Sequence, residues 1–154
     1  MKKYLRAIIV VLTVVALAGL AGCGLFKSGD DGEKIELTYS IFFPATHGQG
    51  EAGMAWAREV EKRTDGKVKI NVFPGGTLTK ADQCYDGVVN GISDIGMSCF
   101  AYTRGRFPVM AAVDLPMGYK SGDMATKVAN SFFKQMKPAE LDDVKVLYLH
   151  AHGP

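Results

Sequence analysis

The sequence is poor in the residues that ligate metal ions in proteins. It has three cysteines and three histidines among 154 residues. His150 and His152 are two residues apart and would face the same side of a strand. A structural zinc site needs about four protein ligands, and no carboxylate or thiolate is suitably spaced nearby. We therefore expect no metal and no other cofactor.

An excess of one charge is also lacking. Charged residues make up 22% of the chain, and the formal net charge is +2. On one predicted helix, Arg58, Lys62 and Arg63 are interleaved with Glu59 and Glu61. Phosphate binding requires a concentrated basic face, so nucleic acid is not expected as a partner.

The amino terminus has the three parts of a bacterial lipoprotein signal. Lys2, Lys3 and Arg6 precede an apolar run over residues 7–20, which is shorter than the roughly 20 apolar residues of a membrane helix. Residues 20–23, LAGC, resemble a lipobox. This pattern predicts a signal peptide over residues 1–22 and a lipidated Cys23. An uncleaved anchor, or secretion with Cys23 as a spare thiol, is the alternative.

Residues 23–34 are rich in glycine and charge, which predicts a flexible tether. Removal of the segment before Cys23 changes the formal net charge from +2 to −1. The mature protein is therefore expected to be nearly neutral.

Residues 67–97 predict a strand, a helix and a second strand, which together form a βαβ unit. Apolar residues alternate over 68–72 and Pro74-Gly75-Gly76 ends the run. Thr79 is placed to cap the helix, Asn90-Gly91 to end it, and Ile95 and Met97 open the next strand. The predicted apolar face of this helix consists of Ala81, Cys84, Tyr85, Val88, Val89 and Ile92.

Four further elements are predicted around this unit. Residues 35–41 alternate as a strand, residues 51–63 and 121–136 are typical of amphipathic helices, and residues 144–149 are a near-continuous apolar run suited to a buried strand. In the first helix Trp56 is expected to anchor the core. The apolar residues of the two helices are Ala52, Ala55, Trp56 and Val60, and Ala125, Val128, Ala129, Phe132, Phe133 and Met136.

Several of these pieces resemble the receptor of a tripartite ATP-independent periplasmic (TRAP) transporter of the dicarboxylate-binding type. They are WAREVEKRTDGKVKINVFPGGTL, YDGVVNGISDIG and YTRGRFPVM, within residues 35–154. The resemblance implies an α/β, periplasmic-binding-protein-like (type II-like) lobe, with a mostly parallel sheet flanked by helices. It also implies that residues 35–154 are an incomplete first lobe, truncated before the second.

The resemblance implies a lipid-anchored receptor in the periplasm or at the cell surface. It would capture a small organic acid and deliver it to the TRAP permease subunits in the membrane. In open α/β sheets ligands bind beyond the carboxyl ends of the strands. The residues expected to form the first lobe's wall there are Phe43, Thr46, His47, Ser98, Phe100, Tyr102 and His152. Their aromatic members suggest a ligand with an apolar or aromatic portion beside its carboxylate.

The carboxylate itself has two candidate partners. The resemblance places the carboxylate-clamping arginine of this family in the other lobe, after Pro154. Arg104 and Arg106 are the alternative within this chain, because a guanidinium binds a carboxylate through two hydrogen bonds.

Other readings stay open. An exported hydrolase could use Ser98, His152 and Asp94, although no G-x-S-x-G elbow is present, and a thiol enzyme could use Cys99. A ligand-sensing subunit of a signalling system is a third reading. Cys84 and Cys99 are expected to be free thiols, although export would permit them to form a disulfide.

Overall fold

Three parallel strands form one sheet in the computed structural model, which describes residues 34–151. Strand β1 spans Ile35–Ile41, β2 spans Val68–Phe73 and β3 spans Ile95–Met97. The order is β2-β1-β3, with Tyr39 opposite both Val72 and Ile95. All three carboxyl ends therefore lie at the same edge of the sheet.

The α/β class and the parallel sheet flanked by helices are confirmed. Helix α1 spans Gly48–Arg63, α2 spans Cys84–Val89 and α3 spans Gly122–Met136, and short 3-10 turns lie at Phe100–Tyr102, Met110–Asp114 and Ala139–Leu141. The chain passes from β2 through α2 to β3 as predicted, but β1 lies between those two strands. The predicted signal peptide, Cys23, residues 24–33 of the tether and His152 lie outside the described residues.

Two apolar clusters hold the described chain together. The first joins the sheet to α1 through Tyr39, Ile41, Ala57 and Ile70. The second is built from Phe107, Met110 and Leu141, and Phe132 and Phe133 of α3 pack against it.

Helix α1 presents its small residues to the sheet. Gly50, Gly53 and Ala57, at helical spacing, are the buried positions. A Cβ at Gly53 would collide with Ile41 Cδ1, so the glycine allows the helix to lie against β1. Trp56 is 38% exposed and meets Tyr39 edge-to-face at 5.8 Å. The prediction that Trp56 anchors the core is wrong, because small side chains occupy the contact between α1 and the sheet.

Helix α2 is shorter than the sequence predicts. It begins at Cys84, and Gln83 at its amino end makes no side-chain capping bond. Thr79 is 5% exposed, and its hydroxyl lies 2.6 Å from the buried hydroxyl of Ser40. The prediction that Thr79 caps the helix is wrong, because its hydroxyl is paired with β1 instead. The helix ends as predicted at Asn90, followed by Gly91 at φ +72°.

The bounds of helix α3, Gly122–Met136, are close to the predicted range of residues 121–136. Ser121 caps it by accepting a hydrogen bond from the Met124 N–H at 3.2 Å, and Pro138 follows its last turn. Ala125 and Ala129 are buried. Val128 and Met136 were predicted on the same apolar face, but they are 39% and 55% exposed, so that face is narrower than expected.

The strand predicted over residues 144–149 is absent from the described chain. In place of a strand ladder, the Asn130 amide of α3 donates to the Leu149 carbonyl at 2.8 Å. Leu147 and Tyr148 are 58% and 53% exposed. The prediction of a buried strand is wrong because an apolar run does not by itself supply neighbouring backbone partners. Within residues 34–151 no helix has both the length and the apolar character needed to cross a bilayer.

Candidate functional site

Four aromatic side chains form a continuous row at the carboxyl edge of the sheet. Tyr102 meets Phe42 edge-to-face at 5.1 Å and 77°, and Phe42 lies 3.9 Å from Phe43 at 34°. Phe43 is stacked on His47 at 4.4 Å and 9°. Tyr102, Phe42, Phe43 and His47 are called the aromatic row below. Because it follows β1 and β3, the row occupies the position at which open α/β sheets bind ligands.

A tight turn sets the stacked pair at one end of the row. The His47 N–H donates to the Pro44 carbonyl at 3.0 Å, and α1 begins at the next residue. The Phe43 carbonyl accepts from the Gly75 N–H at 2.8 Å, in a turn where Gly75 has φ +73°. The β1–α1 turn and the glycine turn after β2 therefore together fix the backbone that carries Phe43 and His47.

His47 also caps helix α1. Its Nδ1 accepts a hydrogen bond from the Gln49 N–H at 3.2 Å. In the neutral ring this leaves the proton on Nε2, which can donate to a ligand. His47 is thus both a capping residue and an exposed member of the row.

The other predicted wall residues that the structure describes, Thr46, Ser98 and Phe100, do not join the row. Thr46 is exposed on the turn before α1, and the Ser98 hydroxyl donates to the Ala81 carbonyl at 2.5 Å. Phe100 packs against the second apolar cluster, 5.1 Å from Phe107. The structure thus brings together Phe43, His47 and Tyr102, and their role in ligand binding stays a prediction.

The member of the row that the sequence analysis left out of the wall is Phe42. The sequence hint for Phe42 is its position next to Phe43 after β1. Strand alternation, however, would point these two side chains to opposite faces of the sheet. The 3.9 Å approach of the two rings depends on the chain leaving the strand after Ile41.

Arg106 is already engaged with acidic partners. Its guanidinium lies 3.4 Å from Asp86 and 3.7 Å from Asp143, over the ring of Tyr85 at 4.8 Å. Arg104 is exposed. The structure gives Arg106 a role in joining α2 to residue 143, which disfavours it as the clamp for a ligand carboxylate.

The arrangement required of a hydrolase is not formed by Asp94 and Ser98. The Asp94 carboxylate precedes β3 and accepts from the Thr38 N–H at 2.7 Å and the Thr38 hydroxyl at 2.8 Å. These bonds, the backbone one foremost, lower the pKa of Asp94. Ser98 follows the other end of β3, about 13 Å along a strand that rises about 3.3 Å per residue. A triad would require both groups to lie within hydrogen-bond reach of the same histidine ring, and a separation of about 13 Å along the strand is too long for that.

The thiols are equally poor nucleophile candidates. Cys84 and Cys99 are both free. Burial raises the pKa of the Cys99 thiol, and the Asp114 carboxylate raises it further. Burial also raises the pKa of Cys84. A raised pKa reduces the thiolate fraction on which cysteine chemistry depends.

A second concavity of about 360 Å³ lies between α1 and residues 148–150. At one end Gln49 Nε2 lies 2.9 Å from His150 Nε2. Tyr39 is part of the wall, and burial raises its pKa well above the usual tyrosine range. No ring of the aromatic row lines this recess. Its lining residues are Tyr39, Gln49, Ala52, Gly53, Trp56, Tyr148 and His150.

Within the described residues, metal-ligating side chains converge neither at the aromatic row nor at this recess. Among residues 34–151 no three histidine, cysteine, aspartate or glutamate side chains are grouped so as to hold a metal ion. His150 instead contacts Gln49, and the paired-histidine hypothesis also involves His152, which lies outside the described range.

Comparison with known proteins places most of the chain within one family. Residues 39–153 match the family described as DctP, bacterial extracellular solute-binding protein, family 7. The 2,3-diketo-L-gulonate-binding periplasmic protein YiaO of Escherichia coli (strain K12) is 27% identical over 123 residues, which are 80% of this chain and 35% of that protein.

Solved structures show the same fold. A TRAP periplasmic solute-binding protein from Desulfovibrio salexigens DSM2638 is 36% identical with a TM-score of 0.74, and the match covers 79% of this chain and 38% of that one. That structure is an open complex with the C-terminus of a symmetry mate in its ligand-binding site. A TRAP periplasmic solute-binding protein from Bordetella bronchiseptica, with bound (R)- and (S)-mandelate, is 30% identical with a TM-score of 0.69 and covers 78% and 39%. The chain thus spans less than half the length of these relatives.

Proposed function

Because the chain belongs to family 7 of the bacterial extracellular solute-binding proteins, we propose that the full-length protein is a receptor for a small organic acid. It captures the acid outside the cytoplasmic membrane and delivers it to the membrane subunits of a TRAP permease. The observation that carries the proposal is the aromatic row at the shared carboxyl edge of β1 and β3.

Capture follows from a cleft between two lobes. The described lobe contributes the row, whose apolar surface and exposed His47 ring suit a small ligand with a polar group. A second lobe, formed by residues after Pro154, contributes the opposite wall and the arginine that holds the carboxylate. Hinge closure then buries the ligand, and the receptor performs no chemistry on it. Two of the relatives support a carboxylate ligand, since 2,3-diketo-L-gulonate and mandelate are both carboxylates.

The same proposal includes attachment to a membrane. Cys23 is the lipidated first residue of the mature protein, and residues 24–34 are the tether that keeps the receptor at the membrane surface. The support is the sequence pattern of a cationic start, a short apolar run and LAGC before residue 24.

Native mass spectrometry of the full-length receptor, purified from its own host, tests the proposal. We expect a fraction of the protein to carry an excess mass that corresponds to an organic acid, and gentle activation should release that acid as an anion. Protein that carries no acid, and that binds none from a panel of mono- and dicarboxylates in calorimetric titrations, would overturn the proposed function.

A further inference from the structure

We propose that the ligand is an aromatic carboxylic acid whose ring stacks on the aromatic row, with Tyr102 as the residue that selects for the ring. This inference rests on the proposed function and names the class of acid.

The two ends of the row lie outside the hydrophobic core. Phe43 is partly buried and packs against the first apolar cluster, but Tyr102 is 50% exposed and His47 is exposed as well. Phe100, two residues before Tyr102, turns into the second cluster instead. One ring of this 3-10 turn is therefore partly buried against the second cluster, and the other remains half exposed beside Phe42. Since exposed aromatic surface is unfavourable in water, a ligand that covers Tyr102 gains binding free energy.

The arrangement of the rings favours an aromatic ligand over an aliphatic one. Aromatic pairs prefer edge-to-face or offset-stacked contacts, and the row contains an edge-to-face pair at 77° and a stacked pair at 9°. Tyr102 and Phe42, whose ring planes meet at 77°, form a corner beside which a ligand ring can pack. A ligand ring in this corner extends the pattern, whereas a saturated ring fills the volume without the favourable ring contacts.

The charges of the lobe are consistent with this division of roles. Arg106 is held by Asp86 and Asp143, so it is not the partner of the ligand carboxylate. The row thus recognises the apolar part of the acid. Its only titratable members are His47, whose Nδ1 caps α1, and the Tyr102 phenol.

The test compares matched acids on the full-length receptor by calorimetric titration. Benzoate is paired with cyclohexanecarboxylate, and phenylacetate with cyclohexylacetate, because each pair differs in aromaticity but keeps the carboxylate and a similar size. We expect the aromatic member of at least one pair to bind about twofold to tenfold more tightly, the range of aromatic-pair energies. Equal or weaker binding of both aromatic members overturns the inference.

Two variants locate the ring. Tyr102→Leu keeps an apolar side chain but removes the aromatic face, and it should bring the aromatic-to-saturated affinity ratio close to one. Tyr148→Leu is the matched control, because Tyr148 is 53% exposed and lies at the recess, away from the row. An unchanged ratio in Tyr102→Leu, or a ratio lost in Tyr148→Leu, overturns the assignment to the row.

Failure of this inference differs from failure of the proposed function. A receptor that carries or binds an acid without a ring, such as succinate, and none of the ring acids, refutes the aromatic ligand and leaves the receptor proposal standing. A receptor that neither carries an acid nor binds any member of the wider panel refutes both. The comparison of acid pairs uses wild-type protein, so it remains decisive even if Tyr102→Leu does not fold.

Discussion

At the scale of single residues, Gly53 sets the distance between helix α1 and strand β1. A Cβ at this position would meet Ile41 Cδ1 and the ring of Tyr39, both of which are buried. Ile41 is at the centre of the first apolar cluster and cannot move without disturbing it, because protein interiors are close-packed.

Gly53→Ala is expected to lower the free energy of unfolding of the full-length receptor by about 1–2 kcal/mol. Overpacking costs about 1–3 kcal/mol, and the better helix propensity of alanine recovers about 1 kcal/mol at most. Gly48→Ala is the control, since a Cβ there meets nothing within 4 Å, and it should leave stability unchanged or slightly higher. Urea denaturation measures both, and equal effects would refute the close approach.

Asp94 links stability to pH. Two hydrogen bonds from Thr38 stabilise its ionised form and lower its pKa in the folded state. A carboxylate with a lowered folded pKa stabilises the protein above its unfolded pKa of about 4, and that stabilisation is lost as the pH falls through the folded value. The receptor should therefore lose stability on acidification below pH 4.

Asp94→Asn is expected to reduce this acid sensitivity. Melting temperatures recorded from pH 7 to pH 3 should fall less steeply for the variant than for the wild type, while the variant is less stable at pH 7. Asp82→Asn removes another exposed carboxylate of the same lobe and should keep the wild-type slope. Parallel curves for Asp94→Asn and wild type would show that the Thr38 bonds do not set the pKa.

Residue size explains what the sequence could predict in α1 and what it could not. Hydrophobic periodicity gives weight to large side chains, so it placed Trp56 in the core, whereas the actual contact is made by Gly50, Gly53 and Ala57. A stripe of small residues is visible in the sequence, but it signals close approach only if the opposite strand is known.

At the scale of elements, Glu140 joins two 3-10 turns. Its carboxylate accepts from the Val109 N–H at 3.0 Å and the Met110 N–H at 2.7 Å, and Met110 is fully buried. The Glu140 side chain, from the 3-10 turn at Ala139–Leu141, thus accepts hydrogen bonds from N–H groups at the start of the 3-10 turn at Met110–Asp114. This cross-connection holds the second apolar cluster in place.

Glu140→Ala is expected to destabilise the receptor by about 1–3 kcal/mol, because it leaves a buried donor without its partner. Glu140→Gln keeps one acceptor oxygen and should fall between the variant and the wild type. Glu36→Ala is the control, since Glu36 pairs with Lys69 only at 3.9 Å on the surface, and exposed ion pairs contribute little. Unfolding experiments that rank Glu36→Ala with Glu140→Ala would contradict this role.

The presence of individual strands and helices was easier to predict from the sequence than the residues that they contact. Strands β1 and β3 and the end of α2 follow from alternation and from Asn90-Gly91. The Ser40–Thr79 pair is not encoded in local pattern, because it joins residues 39 apart. The strand predicted over residues 144–149 fails for the same reason: the Leu149 carbonyl accepts from Asn130 of α3, which no periodicity in the segment identifies.

The candidate site was also predictable only in part. The rule that ligands bind beyond strand ends selected Phe43, His47 and Tyr102, and the structure brings these three together through Phe42. It could not separate Tyr102 from Phe100, because which ring of a 3-10 turn faces the core depends on Phe107, further along the chain.

At the scale of the whole molecule, the proposed lipid anchor at Cys23 would decide where the protein works. Wild-type protein expressed in its host is expected to fractionate with membranes, whereas Cys23→Ala should appear in the soluble fraction, since diacylated cysteine gives stable attachment through two chains. Cys99→Ala, which changes a free cysteine of the lobe, should still fractionate with membranes. Unchanged membrane fractionation of Cys23→Ala would remove the lipoprotein proposal.

The tight turn between β1 and α1 has a consequence for the speed of capture. The Gln49 N–H holds the His47 ring through Nδ1, and the Phe43 ring is stacked on it between two hydrogen-bonded turns, so we expect both rotamers to be restricted before any ligand arrives. Immobilising a side chain on binding costs about 0.5–1.5 kcal/mol. Because these two side chains are already restricted, most of that cost is avoided when a ligand contacts them. We therefore expect the first encounter of a ligand with these rings to proceed without a rearrangement step, and any slow phase in binding to report the proposed closure of the cleft.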